Sequence, residues 1–100
     1  MVDNNAQGET WEQWLLETLA HVRRLLETVD HAAGIQRLGR EVLGVGLRRG
    51  RDGPEIAIQF RDSSDDAVHE WEMPVMAAGL PEYEDPDSIA STIVINFMEP

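Results

Sequence analysis

The chain has 100 residues, enough for one domain at most, and 42% of them are hydrophobic, a normal globular share that argues against wholesale disorder. Its formal net charge is −11, from nineteen acids against eight bases, all arginine, and this balance argues against a general nucleic-acid binder, which needs cations opposite the phosphates. With no cysteine, disulfides and thiolate chemistry are excluded, and the apolar runs are too short to span a bilayer.

Residues 1–8 are polar and lack the basic and apolar regions of a signal peptide. They are expected to form a disordered tail ahead of one domain over 9–100, in a soluble, cytoplasmic protein. Thr10-Trp11-Glu12-Gln13 then fits a capping box, with a hydroxyl and an amide each satisfying the other's backbone N–H. Trp11, Leu15, Leu19, Val22, Leu26, Val29 and Ala33 follow at spacings of three and four, an apolar stripe that predicts a helix over 11–33. Gly34 stands where a left-handed stop residue belongs. A stripe of this kind serves a helix packed on a sheet or a short dimeric coiled-coil seam. Trp14 and Leu16 fall outside the narrow seam, and Trp14 is a candidate exposed anchor.

The next stretch reads as a meander. Leu43, Val45 and Leu47 alternate with Val42, Gly44, Gly46 and Arg48, so the leucine and valine set is expected to face the helices. Gly44 and Gly46 leave the other face almost bare, which fits a bulge or a close approach by another group. Gly50-Arg51-Asp52-Gly53-Pro54 makes a turn. Ile56, Ile58 and Phe60 give the second strand one apolar face, and Ala67, His69, Trp71 and Met73 give the third strand its core face, with His69 expected to be at least half-buried. Pro74 ends the ladder because it has no N–H to donate.

Asp85-Pro86-Asp87 looks like a helix start, with Asp85 as N-cap and Pro86 in the first turn. Ile89, Ile93 and Phe97 continue at helical spacing, although the β-branched run Thr92-Ile93-Val94-Ile95 competes in favour of a strand. The fold class is therefore α+β: a single small domain in α-β-β-β-α order, a three-stranded antiparallel meander packed by an N-terminal and a C-terminal helix.

Charge is segregated along the chain. Residues 37–61 carry six arginines and three acids, whereas residues 62–100 carry ten acids and no base. The acidic part supplies candidate partner-binding carboxylates at Asp62, Asp65, Asp66, Glu70, Glu72, Glu82 and Glu84, with Tyr83 among them and Met76 nearby. Arg48, Arg49 and Arg51 make the first hairpin basic, and pairing with the acids would make them an internal counterweight. No nucleophile elbow, zinc-protease helix, phosphate loop or calcium-loop spacing occurs, so no catalytic residue, metal or cofactor is expected.

These features favour a non-enzymatic acidic protein-binding module, of the inhibitor or immunity type that neutralises a basic nuclease or toxin. The alternative is a structural or assembly protein, a homodimer joined through the first helix or a sheet edge. The third reading is a small ligand-binding domain or enzyme with its site around His69, Trp71 and the 74–84 loop.

Overall fold

The computed structural model of the chain describes residues 2–79 and 84–99, with side chains described from Glu12 onward within those ranges. The elements run α1 (Val2–Glu27), α2 (Val29–Arg37), β1 (Arg40–Gly50), β2 (Gly53–Asp62), β3 (Ala67–Pro74), α3 (Val75–Ala78) and α4 (Pro86–Met98). The order is the expected α-β-β-β-α, with the first helix in two pieces and a single helical turn added before the last. The strands form one antiparallel sheet in the order β1-β2-β3.

The first helix departs from the expected 11–33 at both ends. Its backbone is helical from Val2, ahead of the capping-box start and through the segment read as a tail. Residues 2–9 contain no proline, so nothing there forbids the helical conformation. The helix breaks at Thr28, which takes extended dihedrals (φ −65°, ψ 150°) and becomes the N-cap of α2. The Thr28 hydroxyl lies 2.8 Å from the Leu25 carbonyl, to which it donates, and 2.7 Å from His31 Nδ1. Thr28 and Val29 are both poor helix formers, and Asp30 favours a new first turn, so restarting costs little here. Because the chain turns at this point, Val29 leaves the apolar stripe and is 83% exposed.

The stop residue is Gly39, not Gly34. Gly39 has φ +77°, and its N–H donates to the Gln36 carbonyl. Gly34 instead lies inside α2, pressed against Met98 of α4. Both glycines fit the local stop signal, and only the break at Thr28, which gives α2 its own length, decides between them.

The register of the sheet follows the alternation in β2 and β3. Ile56, Ile58 and Phe60 stand opposite Met73, Trp71 and His69 on one side and Leu47, Val45 and Val42 on the other. In β1 the ladder slips between Val42 and Gly44, so Leu43 is an unpaired bulge residue. The slip changes which residues face inward. Before it, Arg40 and Val42 point to the helices; after it, Val45 and Leu47 do. Leu43, expected on the core face, is 45% exposed for this reason.

α4 covers the inner face. Asp85 caps it by accepting from the Ser88 N–H at 2.9 Å, and Pro86 occupies its first turn, as the sequence implies. Ile89, Ala90, Ile93, Val94 and Phe97 are all fully buried. The Phe97 ring stands edge-on to both Phe60 and Trp71, with centroids 5.5 Å away in each case. Burying a side chain of this size contributes about 1.5–3 kcal/mol, so α4, with five residues at zero exposure, contributes heavily to the core. α1 packs beside α4 through Trp14, Thr18, Leu19, Val22 and Leu26. The buried Thr18 hydroxyl is satisfied by the Trp14 carbonyl at 2.8 Å.

Candidate functional site

Among the described residues, the candidate carboxylates and their partners fall into three groups. The first is the β2–β3 turn, Ser63–Asp66, with the flanking Asp62. Ser64 donates to Asp62 Oδ1 through its backbone N–H (2.9 Å) and its hydroxyl (2.7 Å). The Ala67 N–H donates to Asp65 Oδ1 (2.9 Å), and His69 Nε2 lies 2.8 Å from Asp65 Oδ2. Asp66 takes the left-handed conformation (φ +55°), which aspartate tolerates better than most residues. The Ser64 N–H, helped by its hydroxyl, holds the Asp62 carboxyl below the usual aspartate range. The Ala67 N–H, with His69 beside it, does the same for Asp65. Both groups therefore remain charged well below neutral pH, with their side chains ordered by the backbone they bond to.

His69 lies on the inner face, as its strand phase implies, but at the margin of the core. It sits at the open end of the inner face, where its ring stacks on Phe60 with centroids 5.6 Å apart and its side chain is 42% exposed. The strand ends there, so only one side of the ring is covered.

The second group lies on the outer face of the sheet. Arg48, from β1, reaches across β2 to Glu70 and Glu72 of β3, and its Nε lies 3.5 Å from Glu55 Oε1. Ala57, which pairs with Gly46 on one side and Glu72 on the other, offers no obstructing side chain to the crossing. Partial desolvation opposes the guanidinium charge, but Glu70 and Glu72 outweigh it and hold the Arg48 pKa up. Arg48 is thus the internal counterweight anticipated from the charge pattern. Glu70 and Glu72 form no row of free carboxylates; one arginine is shared among three acids. A shallow cleft of about 300 Å³ lies alongside, floored by Gly44, Gly46 and Ala57 and walled by Arg48, Gln59 and Glu70.

The third group is the start of α4, where Glu84, Asp85 and Asp87 are exposed. The Ser88 N–H lowers the Asp85 pKa, and Asp87 Oδ1 lies 3.7 Å from His21 Nδ1 of α1. Glu82 and Tyr83 lie outside the described residues.

The acidic part of the chain is therefore not one surface. The β2–β3 turn and the start of α4 lie at opposite ends of β3, an eight-residue strand, which separates them by about 25 Å at the usual strand rise. The third reading's site is spread out as well: His69 stands near the turn, about 16 Å along the strand from Pro74, where residues 75–79 follow.

Trp14 is not an exposed anchor. It is only 8% exposed and belongs to the core beside Pro86. The sequence stripe marked the face toward the sheet, but α1 also packs on α4, so its buried arc is wider than a coiled-coil seam and includes position 14. For the same reason Leu15, Leu19, Val22 and Leu26 are engaged within the domain. Leu16 remains exposed, as does Met76, and Arg49 and Arg51 are exposed at the tip of the first hairpin.

Two arginines escaped the sequence reading. The Arg40 guanidinium lies over the rings of Phe60 (5.0 Å) and Phe97 (5.4 Å) and donates to the Phe97 carbonyl at 2.8 Å. Arg23 donates to the Val45 carbonyl at 3.0 Å. Neither partner is near in sequence, and no local signal identifies them.

Among the described residues no helix is long and apolar enough to cross a membrane, and no three histidine, aspartate or glutamate side chains are grouped to hold a metal ion. No family model matches the chain, and no curated protein or solved structure matches it either.

Proposed function

We propose that this protein is a non-enzymatic binding module that meets a basic surface on another protein through the acidic β2–β3 turn. One observation carries the reading. Asp62 and Asp65 are fixed by backbone N–H donors and kept ionised, whereas Glu55, Glu70 and Glu72 are partly neutralised by the one arginine they share. Ordered charge at a loop tip loses little side-chain entropy when a cation docks on it. The His69 ring borders the turn and supplies aromatic surface beside the charge. A partner of the cationic nuclease or toxin class fits this chemistry, and the module would act on it as an inhibitor or immunity-type protein.

The test is a binding titration against a panel of cationic nucleases, repeated across salt concentrations. The wild-type chain should bind at least one of them, with affinity falling as salt rises. The triple variant Asp62→Asn, Asp65→Asn, Asp66→Asn should lose most of that affinity while keeping its circular dichroism spectrum. Equal binding by the variant, or binding indifferent to salt, would overturn the assignment of the turn as the contact.

A further inference from the structure

The two edges of the sheet differ. At the β1 edge, Arg23 from α1 caps the Val45 carbonyl, and Leu43 bulges between Val42 and Gly44. Each device interrupts the row of peptide groups that an incoming strand would pair with. The β3 edge has neither. β3 pairs with β2 in unbroken register from Ala67 to Pro74, and its first four residues are exposed. Among the described residues no side chain hydrogen-bonds to its backbone between Val68 and Met73, and proline enters only at its end.

The side chains beside this edge indicate what it would accept. Glu70 and Glu72 project from β3, Glu55 lies one strand behind, and Arg48 is the cation all three share. Two negative charges are left over along the outer margin of the strand. A second copy is a poor match, because antiparallel pairing about the middle of β3 sets the glutamates of one copy against those of the other, and like charges opposite each other are destabilising. A basic strand complements the site.

We propose that the β3 edge receives an extended, arginine- or lysine-bearing segment of a partner protein as a fourth, antiparallel strand, its basic side chains beside Glu70 and Glu72. Main-chain hydrogen bonds would supply the affinity and the alternate cations the selectivity. This inference rests on the reading of the protein as a binder of basic partners, and adds to the turn a second contact, of stated backbone conformation, along the strand that follows it.

The experiment uses the full chain with three synthetic octapeptides: alternating Arg and Val, the same peptide with every Val replaced by Pro, and alternating Glu and Val. Hydrogen exchange of the protein amides is read residue by residue. The Arg/Val peptide should slow exchange within 67–74 by about tenfold or more, and the other two should leave it unchanged. The double variant Glu70→Lys, Glu72→Lys should abolish the effect. Binding of the Pro peptide equal to that of the Arg/Val peptide, or protection confined to 62–66, would overturn strand addition while leaving a basic partner intact. Failure of both cationic peptides to bind would overturn both readings. Protection of 67–74 in the protein alone, with light scattering from a dimer, would assign the edge to a second copy and overturn the proposal.

Discussion

On the inner face of the sheet, Val42, Val45, Leu47, Ile56, Ile58, Phe60, Trp71 and Met73 join the helices in one apolar core, with Phe97 of α4 against Phe60 and Trp71. On the outer face the same strands present Gly44, Gly46, Ala57, Gln59 and one arginine held by three glutamates. One strand therefore alternates between a position that stabilises the fold and a position that does not. Apolar burial is the larger effect by far, because exposed ion pairs contribute about 0–1 kcal/mol each whereas a buried aromatic contributes several times that. The outer face is where this sequence could change with little loss of stability, and it is also where the open β3 edge and its spare negative charge lie.

The inner face is the more fragile of the two. Phe97→Ala removes the ring that touches Phe60, Trp71 and the Arg40 guanidinium. It should cost about 3–5 kcal/mol, read as a fall in the urea midpoint, and a loss below 1 kcal/mol would mean α4 is not the main cover of the sheet.

Glycines sharpen it further. Gly39→Ala should destabilise by about 1–2 kcal/mol, because φ is +77° there and the new methyl would meet the Ser63 hydroxyl. Gly46→Ala should be neutral or stabilising by about 0.5–1 kcal/mol, because a Cβ there has no atom within 4 Å and strand glycine carries an entropic cost. Thermal melts of the two variants should move in opposite directions. A loss at Gly46 as large as that at Gly39 would show that the outer face is covered.

The smallest effect belongs to Arg48. Arg48→Met leaves Glu55, Glu70 and Glu72 to repel one another. The melting temperature should fall slightly at low salt and recover as salt screens the three carboxylates. A loss that persists at high salt would mean that the side chain acts by packing over Ala57 rather than by charge.

β2 and β3 were legible in the sequence because both alternate cleanly between turn signals, and α4 because Asp85-Pro86 marks a helix start that outweighs its β-branched middle. β1 was legible only in part. Gly44 and Gly46 signalled a bulge but not its position, and a one-residue bulge at Leu43 inverts the phase of the strand. The break at Thr28 was hidden because the apolar spacing runs on through Val29 and Ala33, although Thr-Val-Asp holds a cap signal that can be recognised afterwards. Trp14 was misplaced because the direction from which α4 approaches is a tertiary fact. The charge pattern foretold that hairpin arginines would meet acids. It could not foretell that Glu70 and Glu72 would share one of them, nor that the turn and the start of α4 would end up at opposite ends of a strand.

Arg40 has a consequence in time. It opens β1, yet its guanidinium holds a carbonyl of α4 fifty-seven positions later in the chain. The two hairpins join neighbouring segments and can zip locally, whereas this contact must wait for a long loop to close. Without α4, Phe60 and Trp71 lack the ring that covers them, and that part of the meander is left open to water. Arg40 is one of the groups that lock the door once the last helix arrives.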